Sequence, residues 1–454
     1  MRSTPPLTPT LSHKGRGVNN WPGPKSAALF EEEQHLIAPG IQSIALLSKL
    51  TIDHGQGSYL YDVDGNRYLD FNVGVSVCSL GYSHPKYIAA MRAQLEKVTV
   101  GSFTSEARLK FMKLINELAP GKLGRTQLFS GGAEAVEAAI RLARSYTKHT
   151  DVIGFTGGFH GKTGGVLPLS DVDWKIHVGP LAPGMHIATY PYTYRFNGST
   201  EKCLQHAIDQ VKEVIQKNAR GKLAAIIAEP IQGTAGNIIP PAGFLRALRD
   251  IAHENGALYI SDEMICGFGR TGLWFGFQHD DVEPDIMTIG KGMGSGFPVS
   301  GVVSTDEIVS AKPWSLPSAS SSSYGGNPFA SAAAMVTLQT IKEDNLVENS
   351  AKVGAVLRNE LARRLSKYPF VGEVRGRGLL IGFELVKNQA TKESLGKPLC
   401  ERFFAECLKR GLIMMGYAPR VRIHPPLTLS EAEALEGAAI IDEALGAVAG
   451  EIHA

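Results

Sequence analysis

The chain has 454 residues, more than the roughly 250–300 at which a single hydrophobic core stops growing, so we expect one large unit and a smaller companion. Apolar residues make up 43% and charged residues 20%, which excludes global disorder, and 46 basic against 44 acidic residues give no reason to expect a nucleic-acid or membrane partner. The five cysteines are far apart and form no C-x-x-C pair, so we expect neither a disulfide framework nor a metal site, and we expect a reducing, cytoplasmic location.

The first 17 residues, MRSTPPLTPTLSHKGRG, contain no acidic residue. They also lack the continuous apolar stretch that a secretory signal peptide requires. Their Ser/Thr content resembles that of transit peptides, but their prolines oppose an amphipathic helix. We therefore expect residues 1–24 to form a disordered tail, which a misplaced start codon would also explain, with a targeting segment as the alternative.

Residues Tyr59 to Phe71 read YLYDVDGNRYLDF, in which apolar and polar positions alternate around an Asp-Gly pair. This pattern predicts a β-hairpin, because Asp-Gly supplies the positive φ of a tight turn. From about Gly81 short apolar runs, typical of strands buried on both faces, alternate with amphipathic stretches. We predict strands at Val152–Phe155, Ala224–Ala228, Ala257–Ser261 and Asp285–Ile289, and helices at Glu134–Lys148, Glu201–Asn218 and Gly243–Asn255.

The pattern changes again after about residue 344. Helices are predicted near Ala351–Lys367 and Pro398–Arg410, short strands within Val371–Leu385, and a last helix from Ser430, its N-cap, to Val448. The sequence therefore predicts an α/β fold with a large domain over residues 81–344, built on a mostly parallel central sheet. Residues 25–80 and 345–454 are expected to form a smaller α+β domain from both termini.

Glycine accounts for 50 of the 454 residues, or about 11%, against a typical share of about 7%. Two glycine-rich segments come close to phosphate-binding fingerprints. Gly267–Gly272 fits G-x-G-x-x-G, but Leu273–Phe277 alternates instead of beginning a helix, which argues against a dinucleotide site. Thr156–Thr163 reads TGGFHGKT and lacks the first glycine of a P-loop. A nucleotide-binding protein remains a remote alternative.

Two predicted strands end in residues suited to carbonyl chemistry. Asp262 follows Ala257–Ser261, and Lys291 follows Asp285–Ile289 between two glycines. If these strands are neighbours, both side chains project into one crevice, because ligands of open α/β sheets bind beyond the carboxyl ends of the strands. An amine there can form a Schiff base, and a carboxylate can hold a protonated pyridine nitrogen, as pyridoxal 5'-phosphate (PLP) requires. Taken singly, each residue is better explained as a surface lysine or a helix-capping aspartate, so the pair needs a third element.

A third element is the run Ser130-Gly131-Gly132-Ala133-Glu134, which leads into the predicted helix Glu134–Lys148. Small residues at a helix N-terminus leave backbone N–H groups free to bind a phosphate, assisted by the helix dipole. The alternative is a plain glycine-rich loop with a helix cap.

Over about residues 40–445 the chain resembles the class III (ornithine/4-aminobutyrate type) PLP-dependent aminotransferases. The resemblance rests on nine segments in order: GSYLYDVDGNRYLDF, GYSHP, SGGAEAVEAAIRLAR, GGFHGKT, AEPIQG, SDEMICGFGRTG, PDIMTIGKGMGSGFPVSGVV, YGGNP and VRIHPPL. It implies the PLP fold type I, a homodimer with shared active sites, and ping-pong transfer of an amino group from an amine or amino-acid donor to an oxo-acid or carbonyl acceptor.

The resemblance also implies roles for individual residues. Lys291 is the Schiff-base lysine and the proton shuttle, Asp262 pairs with the pyridinium nitrogen, and Glu229 is an acid near the ring. Ser323 stands where the family has a threonine whose hydroxyl reaches the phosphate bound by the partner subunit.

The remaining cofactor contacts implied by the resemblance come from two glycine-containing segments. Gly131, Gly132 and Ala133 would bind the phosphate through backbone N–H groups. Phe159 would stack on the ring, unless it is a core aromatic. His160 would line the site, although a structural histidine fits the sequence equally well.

Two positions depart from the family pattern. Ile265 stands where many members have a glutamine near the cofactor's phenolic oxygen, which leaves an apolar contact. Thr234 replaces the glutamate of ornithine-type enzymes that pairs with a late arginine. Arg422 matches that arginine and would then be free to hold a substrate carboxylate, with a structural salt bridge as the alternative.

The sequence thus predicts a PLP-dependent aminotransferase acting on small amines, amino acids and oxo acids. An aminomutase of the glutamate-1-semialdehyde type, which shares the fold and the cofactor, is the main alternative. The identity of the amine does not follow from these patterns.

Overall fold

The computed structural model describes residues 21–99 and 102–452. Most of the predicted tail, up to residue 20, lies outside the described residues. The indole Nε1 of Trp21 donates a hydrogen bond of 2.9 Å to the carbonyl oxygen of Ser48, and its ring packs on the apolar cluster that contains Tyr68 and Phe404. The end of the predicted tail is therefore part of the fold.

Helices and strands alternate through most of the described chain. The helices are α1 Pro24–Gln34, α2 Ser43–Ser48, α3 Val73–Ser76, α4 Pro85–Leu95, α5 Glu106–Leu118, α6 Gly132–Thr147, α7 Thr200–Val214, α8 Phe244–Glu254, α9 Asp306–Val309, α10 Pro328–Glu343, α11 Leu346–Leu365, α12 Lys397–Lys409 and α13 Glu431–Ile452. The strands are β1 Ile52–Gln56, β2 Tyr59–Asp62, β3 Arg67–Asp70, β4 Arg125–Phe129, β5 Asp151–Phe155, β6 Met185–Ala188, β7 Leu223–Ala228, β8 Leu258–Asp262, β9 Ile286–Ile289, β10 Ser300–Ser304, β11 Val371–Arg377, β12 Leu380–Leu385, β13 Leu412–Ile413 and β14 Arg420–Ile423.

A seven-stranded sheet in the order β4-β10-β9-β8-β7-β5-β6 forms the centre of the molecule. The strands from β9 to β6 run parallel, and β10 runs antiparallel to both of its neighbours, β9 and β4. The short connection from β9 to β10 explains this reversal, because a parallel partner would need a long crossover. The predicted mostly parallel α/β sheet is confirmed.

The helices that cover this sheet follow the predicted periodicity. Helix α8 buries Leu245, Leu248, Ile251 and Ala252, the four positions that the sequence pattern singled out. Helix α6 buries a face rich in alanine, which lets it approach the sheet closely. A dinucleotide site would need an α-helix that begins at Gly272, the third glycine of Gly267–Gly272, and the structure has none there. The next helical turn is a 3-10 segment at Gly276–Asp280.

The predicted hairpin forms from β2 and β3, and Gly65 in its turn has φ +85°. Strand β13, far along the chain, pairs in parallel with β3, so segments from both ends of the chain share one four-stranded sheet. A third sheet, in the order β11-β12-β14, lies within the C-terminal segment. The last helix begins after Ser430, whose hydroxyl accepts a hydrogen bond from the backbone N–H of Glu433 at 3.2 Å.

One short segment, α3, is a left-handed turn rather than a regular helix. Val73, Gly74, Val75 and Ser76 all have positive φ, between 40° and 70°. Two valines in this region are strained, since β-branched residues rarely adopt it. Within residues 21–99 and 102–452, no helix is long and apolar enough to cross a membrane.

Candidate active site

A cavity of about 350 Å³ opens at the carboxyl ends of the central strands. Among the predicted site residues, Gly132, Ala133, Phe159, His160, Asp262 and Lys291 line it. Strands β8 and β9, which carry Asp262 and precede Lys291, are hydrogen-bonded neighbours. The expected convergence of the aspartate and the lysine on one crevice is therefore found in the structure.

Asp262 is buried and has hydrogen-bond donors at both carboxylate oxygens. Its Oδ2 lies 2.6 Å from Nδ1 of His160, and its Oδ1 accepts hydrogen bonds from the backbone N–H of Met264 at 3.1 Å and from the hydroxyl of Thr288 at 3.0 Å. Burial would raise the pKa of Asp262, but His160, the charge of Lys291 and the Met264 N–H together hold it below its ordinary value. Asp262 is therefore an ionised carboxylate inside the protein, able to hold a cationic ligand group.

The Lys291 backbone has φ 41°, in the left-handed region that non-glycine residues rarely adopt and that is often found at functional sites. Within the part of the chain that the structure describes, the Lys291 amine has no hydrogen-bond or ion-pair partner. Burial lowers the pKa of Lys291, and the negative charges of Asp262 and Glu229 oppose this effect. A lysine with a lowered pKa is available as a nucleophile.

The start of helix α6 presents free backbone donors to the cavity. The N–H groups of Gly132 and Ala133 have no acceptor among the described residues. A side chain at Gly132 would place a Cβ 3.3 Å from Sδ of Met264, so glycine keeps this approach open. The N–H of Gly131 is directed instead to the carboxylate of Glu134, at 3.4 Å, and Gly131 does not line the cavity. Two of the three predicted phosphate donors therefore face the cavity.

Glu229 is buried behind Phe159 rather than in the cavity wall. Its Oε1 accepts the backbone N–H of Phe159 at 2.9 Å, and its Oε2 accepts that of Gly233 at 3.0 Å. Burial raises the pKa of Glu229 to about 7. Through these two hydrogen bonds Glu229 fixes the loop that carries Phe159.

Besides Gly131 and Glu229, three further predicted site residues do not line the cavity. Ile265 is buried in a small apolar cluster with Ile231, and Ser323 is exposed on the surface of the chain. Burial lowers the pKa of Arg422, on β14, while Tyr417 and Glu229 oppose this effect, and the charge of Arg422 contributes to lowering the pKa of Lys291. Among the described residues no carboxylate lies within 4.0 Å of the Arg422 guanidinium.

The cavity also contains residues that the sequence reasoning missed. Met264 could have been found because it lies only two positions after Asp262, in the turn that follows β8. Val77 had no such signal, because the left-handed turn of α3 brings it there. The remaining residues that were not predicted are Ser130, Gly161, Gly296, Phe297, Pro298 and Val299.

A family model described as aminotransferase class III matches residues 44–445. Among curated proteins, an alanine/serine racemase of Pyrococcus horikoshii is 33% identical over 93% of this chain and 91% of its own length. A 4-aminobutyrate aminotransferase of Mycobacterium tuberculosis is 34% identical over 95% of this chain and 98% of its own length.

Among solved structures, a PLP-bound amine transaminase from an uncultivated Pseudomonas species superimposes with a TM-score of 0.84. The two chains are 30% identical, and the match covers 92% of this chain and 98% of the other. The fold and the sequence therefore match over nearly the full length.

Proposed function

The chain belongs to the class III aminotransferases and is a PLP-dependent transaminase, and on this premise we propose that Lys291 and Asp262 carry the reaction in the cavity at the strand ends. The observation that supports this assignment most directly is that both side chains line one cavity, on neighbouring strands, together with the free N–H groups of Gly132 and Ala133.

The donor set fits PLP group by group. An amine, a buried carboxylate, two free N–H groups at a helix N-terminus and an aromatic ring match its aldehyde, pyridine nitrogen, phosphate and ring face. When bound, PLP supplies an electron-accepting ring that stabilises negative charge on the carbon bearing the substrate's amino group.

The chain's own residues divide the work around that ring. Lys291 would hold the cofactor through its amine, and the same Nζ would serve as the base and acid that takes and returns the proton of the reacting carbon. Asp262 would keep the pyridine nitrogen protonated, and Phe159 would cover one ring face. Gly132 and Ala133 would hold the phosphate through their backbone N–H groups.

We assign the recognition of a substrate carboxylate to Arg422. A guanidinium without a protein carboxylate within 4.0 Å among the described residues can form a bidentate pair with an amino acid or an oxo acid. This assignment favours a substrate pair in which at least one partner carries a carboxylate.

The decisive test is Lys291→Ala in the purified protein. The variant should lose transamination and the yellow absorbance of the lysine-bound cofactor, whereas Lys217→Ala, at an exposed site on the surface, should keep both. Retention of turnover and absorbance by Lys291→Ala would refute the assignment.

A mutase of the glutamate-1-semialdehyde type and a racemase, the activity named for the Pyrococcus relative, use the same cofactor. Donor supplied without acceptor separates these activities. A transaminase stops after one half-reaction per site, whereas a mutase or a racemase continues to convert the substrate.

We further propose that the protein is a homodimer located in the cytoplasm, with a large domain over residues 81–344 and a small domain from both ends of the chain. The exposed position of Ser323 supports its predicted role at the partner's phosphate, and the five cysteines, all free, support a reducing compartment. Sedimentation of the PLP-loaded protein tests the dimer. Ser323→Ala should weaken PLP binding at protein concentrations at which the dimer forms, and should have no effect on PLP binding by the monomer.

A further inference from the structure

Strand β9 contains one polar residue in an otherwise apolar sequence, Ile286-Met287-Thr288-Ile289. The Thr288 side chain is completely buried at 0% exposure. A buried hydroxyl is unfavourable unless it forms a hydrogen bond, so its partner indicates why a threonine stands at this position.

The partner is the carboxylate of Asp262 on the neighbouring strand. Thr288 and Asp262 are directly paired in the β8–β9 ladder, and the hydroxyl donates to Oδ1 at 3.0 Å. The backbone carbonyl of Thr288 also accepts a hydrogen bond from the N–H of Glu263 at 2.9 Å. Thr288 therefore binds Asp262 and its successor with both its side chain and its backbone.

These contacts determine how the carboxylate is oriented. His160 holds Oδ2, while Thr288 and the Met264 N–H hold Oδ1 from two different parts of the chain. Without the two donors on Oδ1 the carboxylate could still rotate about its bond to Cβ. Of these two donors, Thr288 is the one that comes from the neighbouring strand, whereas Met264 belongs to the turn that directly follows Asp262. Thr288 also lies on the strand that leads into Lys291, so it connects the two groups that would hold opposite ends of the cofactor.

We propose that Thr288 is a positioning residue for the cofactor nitrogen: its hydroxyl fixes the Asp262 carboxylate in the plane that the pyridine ring requires. The proposal rests on the assignment of Asp262 to that nitrogen. Thr288 itself does not line the cavity and acts through Asp262.

The test uses Thr288→Val, which keeps the shape of the side chain and removes the hydroxyl, and Thr288→Ser, which keeps the hydroxyl. PLP affinity is measured by titration of the apoprotein, and the pH midpoint of the bound cofactor's absorbance by spectrophotometry. Thr288→Val should weaken PLP binding by about tenfold and raise that midpoint, because a less well-held pyridine proton repels a second proton on the cofactor less strongly. Thr288→Ser should stay within about twofold of the unmodified protein.

Thr337→Val is the matched control. Thr337 is also buried at 0% exposure, and its hydroxyl donates to the carbonyl of Ala333 within α10 at 2.8 Å. This control should leave both PLP readouts unchanged. If Thr288→Val fails to fold, Thr288→Ser and Thr288→Cys, which have nearly the same shape and differ in donor strength, replace it, with Cys expected to bind PLP more weakly.

Equal PLP affinity and equal pH midpoint for Thr288→Val and Thr337→Val would overturn the proposal, as would equal behaviour of the Ser and Cys variants. Failure of the unmodified protein to bind PLP at Lys291 is a different result, since it would refute the proposed function itself.

Discussion

Nδ1 of His160 and Oδ2 of Asp262 are 2.6 Å apart, and both side chains are almost fully buried, at 4% and 2% exposure. Burial lowers the pKa of His160, but the hydrogen bond and the charge of Asp262 outweigh it and raise the pKa overall. The two side chains therefore form a charge-assisted pair in which each stabilises the charged form of the other.

The first prediction follows from this pair. His160→Ala removes the donor that does most to hold down the pKa of Asp262, so that pKa should rise. Because the proposed role of Asp262 requires its ionised form, activity should be lost at a higher pH as the solution is acidified, so the acidic limb of kcat/KM should move to higher pH.

The control for this prediction is His186→Ala, which removes a histidine that pairs with Asp151 at 2.8 Å and does not line the cavity. It should leave the pH profile unchanged. An acidic limb at the same pH in His160→Ala would show that His160 does not control Asp262.

The second prediction concerns Arg422. Arg422→Gln should raise KM for an oxo-acid substrate by roughly tenfold to a hundredfold, because a bidentate charged contact is lost, with a smaller change in kcat. Steady-state kinetics with an amine that lacks a carboxylate provides the internal control, and its KM should hardly change. An equal rise in KM for both substrates would indicate a structural role for Arg422.

The third prediction concerns stability and Glu263, whose carboxylate accepts the backbone N–H groups of Gly276 at 2.8 Å and Phe277 at 3.0 Å. Burial raises the pKa of Glu263 to about 7 from the ordinary 4.5, so the folded state binds more protons than the unfolded state between these values. Its contribution to the free energy of unfolding should therefore fall as pH rises through this interval, by on the order of 3 kcal/mol at most.

Glu263→Gln cannot ionise and should flatten that dependence. Denaturant unfolding of the PLP-loaded protein between pH 5 and 8 measures the slope, and Glu254→Gln, at an exposed position, serves as the control. The readout is the slope alone, since the amide also changes the hydrogen bonds at every pH. An unchanged slope would contradict the prediction.

The fourth prediction concerns a glycine inside helix α11. Gly354→Ala would ordinarily favour a helix by about 1 kcal/mol. Here the added Cβ would meet the backbone of Gly378, at the turn between β11 and β12, so the free energy of unfolding should instead fall by about 1–3 kcal/mol. Thermal unfolding measures it, with Gly450→Ala as the control. Among the described residues, an added Cβ at Gly450 would meet no atom within 4 Å beyond its own stretch of helix, so this variant should be neutral or slightly stabilising. A more stable Gly354→Ala would contradict this view of the contact.

The sequence predicted the site as far as its residues follow the rules of the parallel sheet. Asp262 and Lys291 could be placed together because parallel neighbours end at the same edge. Thr288 could not be singled out, because β9 is buried on both faces and gives no alternation to read. The antiparallel direction of β10 was not predicted either. The loop that joins β9 to β10 carries Lys291, and the backbone of Lys291 has a rare left-handed conformation.

Other parts of the site could not be predicted, because they depend on backbone conformation and on contacts that local sequence patterns do not indicate. Val77 reaches the cavity through a turn whose positive φ values at Val73 and Val75 oppose their local preference. The N–H of Gly131 donates to the carboxylate of Glu134. The sequence alone does not tell whether this N–H binds a side chain or a ligand. The proposed roles of Ser323 and Arg422 involve groups outside the chain, a partner subunit and a substrate.

The pairing of Asp262 with Thr288 has a consequence for how the molecule reaches its native state. Strand β9 is short, and apart from Thr288 its side chains are apolar and could accept more than one alignment with β8. A slip of one residue would turn Thr288 to the opposite face of the sheet and leave Asp262 without one of its donors. The hydroxyl–carboxylate bond therefore penalises misaligned sheets, and chains that capture PLP are those in which this ladder has closed in the correct register.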